Sequence, residues 1–193
     1  MTSSKQSPKP EIVLPLCVRI DLEDLSSRKA LIEDGWRDIG TLDTWIGQVG
    51  FHGPRSQIKV ASSKEAVASY VIAQQIDWTG RLFRDKEFSN DDARKTMLGH
   101  MVQFDEIYVC RKNGKVKGFS IFQVEESFLR IVLIGLLEEA RGQGFAKDMI
   151  YKAVQDYGND VVIAGTYSDN ISSEWLYSGL GMDRLHRERV FHK

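Results

Sequence analysis

Little in this chain is in excess, and what it lacks narrows the field. Two cysteines occur in 193 residues, Cys17 and Cys110, both in apolar strand-like stretches, so buried free thiols are expected rather than a disulfide framework. The four histidines (His52, His100, His186, His192) are scattered, no metal-ligand spacing forms, and no metal is expected. Formal net charge is −1, so no global field draws the chain to nucleic acid or to an anionic membrane. No run of about eighteen apolar residues exists, so no transmembrane helix is expected. Residues 1–10 carry lysines without an apolar segment behind them, which reads as a disordered lead-in rather than a secretory signal. No internal repeat or low-complexity segment occurs. The expectation is a cytoplasmic protein of ordinary globular composition, with one domain or one domain and a small appendage.

The chain is organised around Leu136-Leu137-Glu138-Glu139-Ala140-Arg141-Gly142-Gln143-Gly144-Phe145-Ala146. An apolar, β-branched run from Leu129 to Leu137 precedes it and predicts a buried strand. Phe145/Ala146, Met149/Ile150 and Ala153/Val154 follow at four-residue spacing and predict a helix with one apolar face, stopped by Gly158. A helix start leaves backbone N–H groups unpaired at the positive end of its dipole. Glycines at 142 and 144 let a ligand approach the backbone, and Arg141 adds a full charge. Such a loop can cradle a phosphate. A Rossmann fingerprint would need a third glycine where Lys147 stands, and a P-loop would need Gly-Lys-Ser/Thr, which is absent. An ordinary strand-to-helix turn is the plain alternative.

Taken in order, strands are predicted at 11–20 and 36–46, around a short helix that Asp21 could cap and Gly35 ends. Residues 47–56 read as a linker. Then come a strand at 58–61 and a helix over 64–75 capped by Ser62 or Ser63, with Val67, Val71 and Ile72 on its inner face. The segment Trp78 to Asp85 is charged and aromatic without a clear period. Ser89 to Asp92 opens a second helix carrying Ala93, Met97, Leu98, Met101 and Val102. Strands at 106–110 and 116–123 turn about Asn113-Gly114, a strong hairpin signal. After the central strand and helix, Val161–Ala164 is a buried strand, Asn170 caps a helix to Leu180, and Arg187–His192 is a last strand.

Arg141-x-x-Gly144-x-Ala146 after a strand, with Asn170 and Leu176-Tyr177-Ser178-Gly179-Leu180-Gly181-Met182 downstream, resembles the two landmarks of the GNAT superfamily of N-acetyltransferases. The element order from residue 57 is similar to that superfamily's. Arg81-Leu82-Phe83-Arg84-Asp85, Thr166-x-x-x-Asn170 and the closing Arg189-Val190-Phe191-His192 look like the acetyltransferases of dTDP-4-amino-4,6-dideoxygalactose (dTDP-fucosamine). Leu31-x-x-x-Gly35-Trp36 with Thr41-Leu42 looks like their leading domain. Tyr167, where that group often has Gln, and Met182, in place of an aromatic, depart from its pattern.

The resemblance implies an α/β (α+β) GNAT fold: a mixed twisted sheet with a splayed central strand and helices on both faces. It divides the chain into a lead-in at 1–10, a small β-α-β subdomain at 11–50 and an acetyltransferase domain at 57–193. It implies acetyl transfer from acetyl-CoA to a primary amine of a small molecule, expected to be a nucleotide-linked amino sugar, with room for a homodimer. Leu136 and Leu137 would meet the cofactor's pantetheine through their backbone. Arg141, Gly142, Gln143, Gly144, Phe145 and Ala146 would hold its pyrophosphate. Tyr177 would protonate the departing sulfur, phenol and thiol being close in pKa. Asn170 would reach the cofactor or a bridging water, and also serves as a helix cap. Arg81, Arg84, Asp85 and His192 would lie towards the acceptor. No general base stands out; Asp85, Glu138 and Glu139 are candidates. The rival readings are a GNAT enzyme for a peptide or another small amine, and a non-catalytic acyl-CoA-binding module.

Overall fold

The computed structural model describes residues 16–50, 52–53, 57–75 and 106–193. Eight strands form one mixed sheet, and four α-helices accompany it among these residues. In chain order they are β1 (Cys17–Asp21), α1 (Leu25–Glu33), β2 (Arg37–Gln48), β3 (Ile58–Val60), α2 (Ser63–Gln75), β4 (Glu106–Lys112), β5 (Lys115–Val124), β6 (Leu129–Leu136), α3 (Phe145–Tyr157), β7 (Val161–Tyr167), α4 (Ile171–Ser178) and β8 (Asp183–His192). A single 3₁₀ turn, Glu138–Ala140, separates β6 from α3. No helix among the described residues is long and apolar enough to cross a membrane. The sequence segments Trp78–Asp85 and 89–102, and most of the strand expected before Cys17, lie outside the described residues.

The strand order is β1-β8-β2-β7-β6-β5-β4-β3. The β-α-β expected at the N-terminus is present, and its strands β1 and β2 pair with β7 and β8 of the main sheet. Strand β2 lies between β7 and β8, antiparallel to both. Its Gly47 permits a close approach: a methyl there would sit 2.7 Å from the Met182 Cα. Strand β8 begins at Asp183, four residues before the expected Arg187. Its first four residues are exposed, so no apolar alternation marks them in the sequence.

Two apolar layers sandwich the sheet. On one face α3 and α4 cover Trp45, Tyr108, Cys110, Phe122, Ile131, Val162 and Ala164. The stripe expected on α3 is the buried one, namely Phe145, Met149, Ile150, Ala153 and Val154, and the Gly158 N–H bonds the Val154 carbonyl at its end. On the other face α2 covers Ile107, Val109, Phe119 and Ile121.

One cap and one helix face differ from expectation, while Ser62 caps α2 as expected. Asp24, not Asp21, caps α1, its carboxylate accepting from the Ser27 N–H at 3.0 Å. Helix α2 is turned from its expected face: Val67 and Val71 are exposed, and Glu65, Ser69, Ile72 and Ala73 are buried. The reason is ionic. Ser62 and Glu65 form a reciprocal capping box, and the Glu65 carboxylate also receives Arg111 and Lys59, which pins that side of the helix to the sheet edge.

Candidate active site

The site is a fork in the sheet. Strands β6 and β7 run parallel but pair only at Leu129↔Val162, Arg130↔Ile163 and Ile131↔Ala164. On the other side of β6 the register with β5 slips between Ile121 and Phe122, so Val132 is one residue too many on β6. An extra residue bends its strand and sharpens its twist. Past this bulge the edge of β6 from Val132 to Leu136 has no strand partner on the β7 side among the described residues. Unpaired backbone at such an edge is a template for an extended, amide-bearing ligand.

Leu136 and Leu137 end the fork. Their side chains pack in opposite apolar layers, so only their backbone is available to a ligand. The loop that follows is tied back to the strand. The Arg141 Nε–H donates to the Leu136 carbonyl at 3.2 Å, and Gln143 Nε2 donates to the Glu139 carbonyl at 2.7 Å. Lys112 donates to that same carbonyl at 3.0 Å, and Lys117 pairs with the Glu139 carboxylate. That contact with Lys117 holds the Glu139 carboxyl below the usual carboxylate range. Glu139 thus braces the foot of the loop, whereas the sequence had left it open as a base for the acceptor.

Gly142 and Gly144 have φ of +70° and +82°, a region in which an L side chain is strained. Gly144 is the N-cap of α3, so the first turn of that helix opens on a residue with no side chain. A methyl built on Gly142 meets nothing within 4 Å, so there is room above the loop. Phe145 is buried, Ala146 is half-buried and Arg141 is exposed. Open backbone, a helix start and a guanidinium suit a bound pyrophosphate.

Tyr177 is the only fully buried side chain of α4. Burial pushes its hydroxyl up to about 12, a push partly offset by the nearby Ser173 side chain one turn earlier. The hydroxyl is therefore protonated at neutral pH, as a proton donor must be. Asn170 caps the same helix, its Oδ1 accepting from the Ser173 N–H at 3.3 Å. Lys147, at the start of α3, donates to the Gly179 carbonyl and ties the two helices together.

The sequence reading missed a polar cluster beside Tyr177. Asp43, 2% exposed on β2, accepts two hydrogen bonds from Arg187, at 2.6 and 3.1 Å, and forms an ion pair with Arg184 at 3.1 Å. Arg184 also bonds Glu174 on α4 at 2.9 Å and lies over the ring of Trp45. Trp45 packs on Tyr177 with centroids 6.0 Å apart. Asp43 and Trp45 are two apart on a strand and so share a face, the one signal the sequence carried.

Of the acceptor-side residues, His192 is fully buried at the end of β8, opposite Cys17 and Arg37, where a terminal histidine would ordinarily be exposed. Arg81, Arg84 and Asp85 lie outside the described residues.

Comparison with known proteins bears on the fold and the family. A family profile described as Acetyltransferase (GNAT) family matches residues 73–182, more than half of the chain. No curated protein matches the sequence. Among solved structures, a functionally unknown conserved protein from Staphylococcus epidermidis is 14% identical with a TM-score of 0.72, over 91% of this chain and 69% of its own. A GCN5-related N-acetyltransferase from Sphaerobacter thermophilus is 16% identical with a TM-score of 0.60, over 93% of this chain and 60% of its own. A GNAT acetyltransferase from Colwellia psychrerythraea is 14% identical with a TM-score of 0.61, over 91% of this chain and 63% of its own.

Proposed function

The chain belongs to the GNAT acetyltransferase family, and from that premise we propose that the β6–β7 fork and the Arg141–Ala146 loop hold acetyl-CoA while Tyr177 serves as general acid. The protein is an acetyl-CoA-dependent N-acetyltransferase. The observation that carries the site assignment is the end of β6–β7 pairing at Ile131↔Ala164, which leaves an edge for pantetheine in line with a glycine loop and a helix start.

The chemistry then follows from the residues. A neutral amine attacks the thioester carbonyl, and the C–S bond breaks. The Tyr177 hydroxyl gives its proton to the sulfur, and the proton shed by the amine returns to the phenolate through water. A tyrosine at about 12 is a weak acid towards an ordinary thiolate. A thiolate formed in the same apolar cleft is raised too, because burial disfavours either anion. Asn170 and Ser173, at the positive end of α4, would add polar support to negative charge developing there.

For the acceptor, we propose the amino group of a nucleotide-linked amino sugar. The support is the sequence likeness at Thr166-x-x-x-Asn170, at Thr41-Leu42 and at the chain end. The register Leu42↔Tyr167 and the burial of Thr166 are compatible with these stretches lining one cleft. Arg81, Arg84 and Asp85, with His192, are kept on that side on likeness alone, together with the division into a leading segment at 11–50 and a domain at 57–193.

The test measures thiol release from acetyl-CoA over a panel of a nucleotide-linked amino sugar, the free amino sugar, a peptide and a polyamine. Turnover on the first is expected, with Tyr177→Phe lowering kcat by roughly 10²–10⁴ and acetyl-CoA affinity little changed. Turnover on peptide or polyamine alone would reject the sugar acceptor, and an unchanged kcat would reject Tyr177 as the acid.

A further inference from the structure

The family match ends at residue 182 and begins at 73, so β2 and β8 lie outside it. Yet β2 supplies the aromatic ring that packs on Tyr177, and β8 supplies the arginine over that ring. Trp45 of β2 is 5% exposed, and its ring meets that of Tyr177 at 6.0 Å with the planes tilted by 51°. The guanidinium carbon of Arg184 lies 5.0 Å from the Trp45 centroid, within cation–π range. Arg184 is itself held by Asp43 on β2 and by Glu174 on α4, and Asp43 is held by Arg187. Helix α4 is eight residues long with one buried side chain, Tyr177, so the Trp45 contact joins the Lys147 tie at Gly179 in setting how that side chain lies.

We propose that Trp45 is a positioning residue for acetyl transfer: its ring, clamped by Arg184 and Asp43, holds the Tyr177 side chain so that the hydroxyl faces the reacting sulfur. The segment ahead of the family-matched span is in this way part of the catalytic machinery. The proposal rests on Tyr177 being the acid. What Tyr177 meets is the Trp45 ring, and Trp45 Nε1 makes no hydrogen bond among the described residues. A small misplacement of a catalytic group can cost orders of magnitude in rate, so a displaced hydroxyl is felt in kcat before anything else.

Trp45→Leu removes the aromatic wall, and Trp45→Phe keeps one while deleting the unpaired N–H. Both are made in the full chain and read by thiol release from acetyl-CoA with water as acceptor, so no amine need be known. Trp45→Leu is expected to lower kcat by about 10- to 30-fold at unchanged KM for acetyl-CoA, and Trp45→Phe by no more than about threefold. In a Tyr177→Phe background Trp45→Leu should cause no further loss, because its effect passes through the hydroxyl. A loss of the same size in that background, or wild-type kcat for Trp45→Leu, overturns the proposal. Wild-type kcat for Tyr177→Phe instead rejects the reading of Tyr177 as acid. Should Trp45→Leu not fold, Arg184→Met opens the clamp from the surface. Its kcat should fall by a few-fold, again only when Tyr177 is present, and an unchanged value overturns the proposal.

Discussion

Gly118→Ala tests whether the packing beneath β6 governs cofactor binding. Gly118 on β5 stands opposite Leu136 on β6 and Cys110 on β4. A methyl at Gly118 would lie 2.2 Å from Leu136 Cδ2, 2.9 Å from Cys110 Sγ and 2.9 Å from the Gly135 carbonyl oxygen. Leu136 can yield by changing rotamer. The sulfur and the carbonyl belong to paired strands and cannot move without spreading the sheet. Overpacking of this kind costs roughly 1–3 kcal/mol. For a chain of this length that lowers Tm by about 2–4 °C per kcal/mol. Spreading of the strands also disturbs the Leu136 carbonyl that Arg141 Nε holds, so acetyl-CoA affinity should fall, by about 3- to 10-fold. Urea unfolding and calorimetric titration with acetyl-CoA measure the two effects. Adding Leu136→Ala should recover part of the stability lost, giving a non-additive cycle. If Gly118→Ala unfolds at the wild-type midpoint and binds acetyl-CoA equally, packing at this position does not govern the loop.

Arg141→Ala deletes one charge-assisted contact to the proposed pyrophosphate, so calorimetry should show acetyl-CoA binding weakened by about 10- to 100-fold with folding intact. Equal affinity would remove the loop from the site. Glu65→Gln leaves Arg111 and Lys59 without their buried carboxylate; with those cations partly solvated, the loss should be about 1–2 kcal/mol in urea, at unchanged KM for acetyl-CoA. Burial pushes the Cys110 thiol up to about 12 from an ordinary value near 9. Folding thus favours its neutral form, and that contribution is complete below pH about 9 and is lost as pH rises towards 12. A thiol reagent at pH 8 should therefore modify half-buried Cys17 first and reach Cys110 only on unfolding; equal rates would contradict the burial.

The sequence by itself determined the local pieces from which the proposed site is built. Asn113-Gly114 specifies its hairpin because both residues sit at positive φ, where few others do. The four-residue repeat after Gly144 specifies the buried face of α3, and the glycines with Arg141 mark the loop. Asn170 marks the start of α4, as its hydrogen bond to Ser173 bears out. These are short-range facts, since a backbone conformation or a helix face is decided within a few residues. Where partners decide, the sequence was silent or misleading. Val67 and Val71 look like an inner face, but Glu65 found Arg111 and turned the helix. Nothing in residues 36–46 says that their strand inserts between β7 and β8, because alternation encodes which side of a sheet a residue faces and not which strand lies beside it. Asp43 and Arg187 are therefore unreadable as a pair, and so is the Trp45–Tyr177 contact. The fork itself arises from one extra residue at Val132 measured against β5, and pairing register exists only once the strands have met.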